Sequence, residues 1–330
     1  MRIFDFPAFT RSDVPSLHAI GIPILMVSLA LSSGSAHSAP STPDNDSVTR
    51  WGADGHRMAA RAAVRSLPAE IPDFFVESED QLIWLNPEPD QWRDGDFHEM
   101  DQGFRYDHYI DLENIPGDIL EESRDRWDFH ARLVRAGLEN PQRDVGFLPF
   151  AILELQQRLV NGFARWRNAE DPAVRRYLEA RIINDAGILG HFVTDASQPH
   201  HTTIHFNGWD EAQVPNPEGY TTDRQFHSRF ETQFVRAHVT QEHITPRVEP
   251  ESPVTMAGPD TRTAVFAYIR QINGYVEELY RIDRDHGFAP DRDPDSVSLA
   301  FAVDRIADGA VMLRDLWWSA WVESEAVAAR

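Results

Sequence analysis

The sequence predicts an all-α protein, folded as a single-domain bundle of helices. Its clearest segment, residues 149–169, places Ile152, Leu159 and Phe163 on one helical face. Period-two alternation of apolar and polar residues, which indicates strands, is scarce along the whole chain. At 330 residues and 42% hydrophobic composition, the chain is long and apolar enough to bury a sizeable core.

Apolar periodicity predicts the helices in order. They cover 56–66, 71–81, 118–138, 149–169, 172–196, 225–239, 263–280 and 297–323. Between them, Phe104 to Asp111 alternates and is rich in aromatic residues, which predicts a short strand or an extended segment. Thr202 to Asp223 is rich in Gly, Pro, Asn and Thr and predicts an irregular loop, long enough to favour a functional role. Pro246 to Pro259 is predicted to be a linker.

The N-terminal residues predict export. Residues 1–39 resemble a signal peptide with an apolar core from Ala19 to Leu31, and a short N-terminal membrane anchor is the alternative. Residues 40–50 are polar and predict a short pro-segment. The folded domain is therefore expected to cover residues 51–330, in a protein that is periplasmic or secreted.

Composition limits the chemistry. The formal charge is −22, and every basic residue is Arg. So acidic a surface argues against a broad electrostatic footprint on nucleic acid or on an anionic membrane. A phosphate-containing substrate must therefore be held locally, by metal ions or by a few arginines. The chain has no Cys, which excludes disulfides and thiolate zinc sites and leaves His and carboxylates as candidate ligands.

Two histidine–carboxylate pairs provide the main functional signal. His191 and Asp195 lie four residues apart at the end of a predicted helix and so share one face. Pro199 ends that helix, and His201 is expected to turn toward a different centre. His227 and Glu231 repeat the four-residue spacing on a later helix. This spacing is typical of a metal site.

Three further candidates are weak when each is taken alone. His56 follows two glycines, and Asp90, Asp94 and Asp96 follow prolines, where a surface histidine and a solvated turn are the ordinary interpretations. His108 lies among aromatic residues, where a buried, hydrogen-bonded histidine is common. Combined with the two pairs, they predict enough nitrogen and oxygen ligands for several zinc ions, which is typical of phosphoester hydrolysis.

Five blocks in this order resemble the S1/P1 nuclease and zinc-dependent phospholipase C superfamily. They are Trp51-Gly-Ala-Asp-Gly-His56, Pro89-Asp90-Gln-Trp-Arg93, His108-Tyr-Ile-Asp111, His191-Phe-Val-Thr-Asp195-Ala-Ser-Gln-Pro-His-His201 and His227-Ser-Arg-Phe-Glu231. The blocks span residues 51–231, and the full set is specific. The resemblance implies a helical bundle of the phospholipase C/P1 nuclease type.

The resemblance also implies three zinc ions. The implied ligand sets are Trp51, His56 and Asp195; Asp90, His108 and His191, with Asp195 bridging to the first ion; and His201, His227 and Glu231. Trp51 would bind through its amino group and carbonyl as the first residue of the mature chain. A hydroxide bridging the first two ions would be the nucleophile, and Asp90 could also orient it. Arg93 would bind the phosphate, and Tyr109 would stack on a base.

Departures from the family pattern leave alternatives open. Asp94 rivals Asp90, because the interval from Asp90 to His108 is longer than in relatives, and the disulfides of fungal and plant members are missing. The Trp51-to-His56 block and Asp90-x-x-Arg93 favour a nuclease/3′-nucleotidase acting on single-stranded DNA or RNA. Glu231 favours a phospholipase C acting on phosphatidylcholine-like lipids. An exported zinc-binding protein is the non-enzyme alternative. We expect a monomer without a stable protein partner.

Overall fold

The computed structural model describes residues 52–248 and 252–330, which fall within one compact unit. The signal peptide, the pro-segment and Trp51, all inferred from the sequence, lie outside the described residues. No helix within the described ranges combines the length and the apolar character needed to cross a membrane.

The regular structure of the described residues is helical, which confirms the predicted all-α class. The α-helices are α1 Gly52–Arg65, α2 Asp73–Val76, α3 Glu79–Leu85, α4 His98–Phe104, α5 Ile119–Glu122, α6 Arg126–Arg135, α7 Pro141–Asp144, α8 Leu148–Arg167, α9 Pro172–Asp195, α10 Phe226–Ser228, α11 Val235–His238, α12 Gln241–Val248, α13 Pro259–Asn273, α14 Val276–Asp285 and α15 Ser296–Ala328. Short 3₁₀ helices cover Glu88–Trp92, Arg105–His108, Leu112–Asn114 and Pro199–Thr202, and a π-helix, Arg229–Phe234, joins α10 to α11.

The core forms where α15 packs against four other helices. α15 contacts α8, α9, α1 and α12, and α8 packs along α9. Phe163 of α8 and Trp317 of α15 are fully buried, and the Trp317 indole nitrogen donates to the carbonyl of Ala186 on α9 at 3.2 Å. Every residue of α9 from Asp185 onward is buried. Polar side chains at this end of α9 must therefore find partners inside the protein.

α3 approaches α9 closely because α9 carries glycines at the contact. A Cβ added to Gly187 would lie 2.4 Å from the Cβ of Leu85, and one added to Gly190 would lie 2.3 Å from Nδ2 of Asn86. Real Cβ atoms do not approach other atoms so closely, so only glycine fits the present packing. The close approach places Asn86 beside the functional end of α9.

Several local predictions were wrong in part. α1 begins at Gly52 rather than at His56, so His56 lies inside the helix, on its buried face. The segment from Phe104 to Asp111 forms a 3₁₀ turn, with one isolated bridge between Ile110 and Gly146 instead of a strand. The predicted linker from Pro246 overlaps α12, which contains Pro246. In each case packing against neighbouring helices decided the local structure.

Gly146 pairs with Ile110 in an isolated bridge and lies close to Tyr109. We expect Gly146→Ala to destabilise the protein. Gly146 has a φ of +86°, and an added Cβ would lie 2.2 Å from the carbonyl oxygen of Tyr109. Gly137→Ala is a matched control, because Gly137 has a φ of +103° but open space around the new Cβ. In chemical unfolding, Gly146→Ala should lose about 1–3 kcal/mol more than Gly137→Ala. Equal losses would show that the contact with Tyr109 has no effect.

Candidate metal centre

At the end of α9, three atoms that could bind a metal ion lie in van der Waals contact. Asp195 Oδ2 lies 3.2 Å from His191 Nε2 and 3.1 Å from His108 Nδ1, and the two histidine nitrogens are 2.9 Å apart. All three side chains are buried. The helical spacing explains why His191 meets Asp195, but His108 arrives from the 3₁₀ turn Arg105–His108, far away in sequence.

His56 joins this cluster from α1. Its ring stacks on the His191 ring at a centroid distance of 4.3 Å, and its Nε2 lies 3.5 Å from Asp195 Oδ1. His56, His191 and Asp195 thus form one group whose ligand atoms lie within 4.8 Å of one another. Since Asp195 contacts His56 through one oxygen and His108 through the other, it connects two neighbouring groups.

Asp90, rather than Asp94, lies next to the histidines. Asp90 Oδ1 is 3.8 Å from His108 Nδ1, and Asp90, His108 and His191 form the second group of candidate ligands. The Asp94 side chain is exposed and accepts a hydrogen bond from the backbone of Asp96. The 3₁₀ helix Glu88–Trp92 directs Asp90 inward, and this orientation was not readable from the Asp-rich sequence.

The third group contains His201, His227 and Glu231. His201 Nε2 lies 3.2 Å from His227 Nε2 and 3.4 Å from Glu231 Oε2, and His227 Nε2 directly contacts the same carboxylate oxygen. Glu231 is fully buried, and it lies in the π-helical segment that begins at Arg229. The Gln198 amide donates to Glu231 Oε2 at 2.9 Å and so fixes the carboxylate.

Oxygen acceptors orient three of the histidines. Nδ1 of His56 donates to the side-chain oxygen of Asn86 at 3.0 Å, and Nδ1 of His191 donates to the Asn86 carbonyl at 2.9 Å. Nδ1 of His201 donates to the His108 carbonyl at 2.6 Å. Each bond turns the ring so that Nε2 points into its group, which is the arrangement found around ligating histidines. Sequence reasoning missed Asn86 and Gln198, because neither belongs to a ligand motif.

The geometry of the groups fits metal ions. Ligand atoms at about 2.0–2.1 Å from a tetrahedral zinc lie about 3.3 Å from one another. The donor pairs described above are separated by similar distances, 2.9 Å between His108 and His191 and 3.4 Å between His201 and Glu231. His56 Nε2, Asp195 Oδ1 and Glu231 Oε1 are buried without a hydrogen-bond partner in the described protein. The three groups could therefore hold metal ions, with nitrogen and oxygen donors suited to zinc.

Without a metal ion, burial and the neighbouring carboxylates determine which of these histidines carry a proton. Burial lowers the pKa of His56, and it lowers the pKa of His108 to about 3. Burial also opposes protonation of His191 and His201, but the Asp195 carboxylate outweighs it, raising the pKa of His191 and bringing that of His201 to about 9. His201 is therefore protonated at neutral pH, whereas His108 is neutral.

Metal binding should consequently release protons. A metal ion needs the lone pair of His201, so it displaces a proton that the metal-free protein holds below pH 9. Calorimetric titration with zinc at pH 7 in buffers of different ionisation enthalpy should show net proton release, and the release should shrink as pH rises through about 9. The same titration of His201→Ala should release fewer protons. Release that stays constant from pH 7 to pH 10 would contradict this assignment.

Members of the second and third groups line a cleft of about 580 Å³. Its lining includes His108, His201, His227 and Glu231 together with Tyr109, Asp111, Phe206, Arg93, Arg143 and Arg224. Arg93 Nη1 lies 3.9 Å from Asp90, and its Nε is buried without a partner in the described protein. The Tyr109 hydroxyl donates to the Arg143 carbonyl at 2.6 Å. Burial raises the pKa of Asp111 to about 8, so this carboxyl is mostly uncharged at neutral pH.

The structure places eight of the nine ligands inferred from the sequence in these three groups, and the ninth, Trp51, lies outside the described residues. Arg93 and Tyr109 lie at the cleft wall, as expected for residues that contact a substrate. Comparison with protein-family models gives no match for this chain, and comparison with curated proteins gives no significant match. The functional argument therefore depends on the chemistry of the site.

Proposed function

We propose that this protein is a zinc-dependent phosphoesterase of the S1/P1 type, acting as a nuclease/3′-nucleotidase on single-stranded DNA or RNA. One observation supports this most directly. Three groups of candidate ligands lie together, two of them connected by Asp195, and members of two groups line a cleft that also presents arginine and aromatic side chains. A nucleic acid needs both kinds of contact, for its phosphates and for its bases.

When bound, closely spaced zinc ions supply Lewis acidity toward a phosphoryl group and activate water near neutral pH. The protein's own residues hold and orient the reactants. Asp195 contacts donors of two groups at once and so fixes their separation. Asp90 lies between His108 and Arg93, where its carboxylate can orient water and the guanidinium. The hydrogen bonds that His56 and His191 donate to Asn86 keep the two histidine rings from rotating.

Arg93 and Tyr109 provide the contacts with substrate. The Arg93 side chain is largely buried, which holds its guanidinium in place and strengthens its attraction for a phosphate. The Tyr109 ring is half-buried, and its hydroxyl is tied to Arg143, which leaves the ring as a fixed surface in the cleft. A base stacked on that surface would place its phosphate near Arg93 and the candidate ligands.

The direct test compares substrates on protein expressed in an exporting host, with Trp51 confirmed as the first residue. Single-stranded DNA, RNA, 3′-nucleotides and phosphatidylcholine are assayed with and without a chelator. We expect zinc-dependent cleavage of nucleic acid and nucleotides. His227→Ala should lose this activity, whereas His243→Ala, which changes an exposed histidine outside the three groups, should keep it. Zinc bound without turnover on any substrate would favour the zinc-binding protein instead.

A phospholipase C remains the second candidate because of one observation. Phe97 and Phe104, which are 61% and 42% exposed, lie on the chain between Arg93 and His108. Exposed apolar side chains beside a phosphoesterase site would suit a lipid surface. Hydrolysis of phosphatidylcholine, abolished by Phe97→Ser together with Phe104→Ser and unaccompanied by nuclease activity, would establish this alternative.

A further inference from the structure

We propose that Arg143 and Arg224 form a second phosphate subsite, which binds a backbone phosphate other than the one being cleaved. This inference rests on the proposed nuclease function and names a substrate class within it, single-stranded chains that extend over more than one phosphodiester. Both arginines line the same cleft as His108 and His201. Neither belongs to a group of candidate metal ligands.

The two guanidiniums have free donor capacity. Arg224 is exposed, just before α10, and forms no ion pair with the described residues. Arg143 uses its Nε to contact Asp144 at 2.9 Å, while its terminal nitrogens have no partner within the described ranges. Guanidiniums with free terminal nitrogens match the geometry of a phosphate group. Many other surface arginines are already paired, as Arg65 is with Glu79 and Arg284 is with Glu218.

The local charge of the cleft also favours an anion. The whole chain carries a formal charge of −22, so its average surface repels nucleic acid. In the cleft, however, three arginines face two carboxyl groups, Asp111 and Glu231. Glu231 lies among the candidate ligands His201 and His227, so its charge would be offset by a bound metal ion. The lining of the cleft thus carries more arginines than carboxyl groups, although the protein as a whole is strongly acidic.

The position of Arg143 separates its role from that of Arg93. Arg93 lies beside Asp90, a member of a candidate ligand group. Arg143 lies in α7, and the Tyr109 hydroxyl donates a hydrogen bond to its backbone carbonyl. A nucleotide bound in this cleft would therefore find Arg93 beside the candidate ligands and Arg143 at a separate place in the lining, next to Tyr109 along the hydrogen-bonded backbone. Phe206, which is 45% exposed, adds a second aromatic surface to the same cleft.

The experiment compares substrates of the same chemistry that differ in chain length, and so in the number of backbone phosphates. Thymidine dinucleotide has one phosphodiester, and decathymidylate has nine. Arg143→Gln and Arg224→Gln should each raise the KM for decathymidylate about three- to tenfold. The KM for the dinucleotide should change by less than about twofold. Arg176→Gln, which removes an exposed arginine on α9 that lies outside the cleft and has no ion pair among the described residues, is the matched control and should change neither value.

Direct binding makes the test independent of turnover. Zinc-loaded protein is titrated with fluorescent phosphorothioate decathymidylate, which keeps one charge per linkage, over a range of salt concentrations. Removing one arginine that binds a backbone phosphate should lower the slope of log Kd against log salt by about 0.7. Circular dichroism of each variant checks that the helices are intact.

The outcomes separate the two proposals. Length-dependent weakening, with or without cleavage, supports the subsite. Unchanged affinity in both arginine variants, or equal weakening toward both substrates, overturns it while leaving nuclease activity in place. If the zinc-loaded wild type cleaves neither substrate, the nuclease proposal is removed, and the binding titration alone then decides whether Arg143 and Arg224 bind a chain of phosphodiesters.

Discussion

Asp195→Asn is expected to abolish turnover and to reduce bound zinc. Asp195 places Oδ1 beside His56 Nε2 and Oδ2 beside His191 and His108, so one carboxylate serves two groups. An amide keeps the shape but loses the charge, and its NH₂ group cannot act as a ligand. We expect phosphoesterase activity to fall at least about 10³-fold, equivalent to about 4 kcal/mol of transition-state stabilisation. Metal analysis should show fewer zinc ions per chain than in the wild type.

Asp185→Asn provides the control for this prediction. Asp185 is also a buried carboxylate on α9, but it pairs with Arg158 and Arg181 and belongs to no group of candidate ligands. Its substitution should lower the free energy of unfolding while the zinc content stays unchanged. If Asp195→Asn retained full zinc content and activity, the two connected groups would not be a metal centre.

Asn86→Ala is expected to have the second largest effect, although Asn86 is not a candidate ligand. Its side-chain oxygen accepts a hydrogen bond from His56, and its carbonyl accepts one from His191. Alanine keeps the carbonyl bond and removes the side-chain bond, so the His56 ring is free to rotate and to expose the other nitrogen. Partners of this kind change metal affinity by about 10–100-fold when they are removed. Zinc affinity of the first group, which contains His56, should fall by that factor.

The conservative variant distinguishes positioning from packing. Asn86→Asp keeps an oxygen acceptor for His56 and should retain most of the zinc affinity that Asn86→Ala loses. Competition with a chromophoric chelator measures both affinities without relying on turnover. Asn114→Ala, which removes a partly buried amide bonded to the Asp144 carbonyl, should leave zinc affinity unchanged. Equal zinc affinity in Asn86→Ala and the wild type would show that the hydrogen bond to His56 does not position a ligand.

Helical periodicity could be read accurately wherever a helix is long. The predicted segment 172–196 corresponds closely to α9, Pro172–Asp195, and 149–169 to α8, Leu148–Arg167. Both helices begin with proline in the first turn, and Asp171 caps α9, so local sequence and packing agree. Periodicity failed at short elements such as α2 and α3, which the prediction merged into one helix, because so few residues form little more than a turn.

The candidate ligands were accessible to sequence reasoning because their spacing has local meaning. His191 with Asp195, and His227 with Glu231, are each four residues apart and are brought together by a helix alone. The spacing did not show which distant residues belong to the same group. His56, Asp90 and His108 come from three separate elements, and their assignment depended on the resemblance to a family rather than on the chain's own pattern.

The sequence by itself therefore determined the helical class, the two local histidine–carboxylate pairs and the restriction to nitrogen and oxygen donors. Tertiary structure alone decided that Asp90 rather than Asp94 faces the histidines, that Asn86 and Gln198 orient ligands, and that Arg143 and Arg224 share a cleft with them. The physical reason is the range of the interactions. Helical spacing is fixed by hydrogen bonds between near neighbours, whereas these contacts join residues far apart in sequence and form only when distant elements pack together, as α3 and α9 do at Gly187 and Gly190.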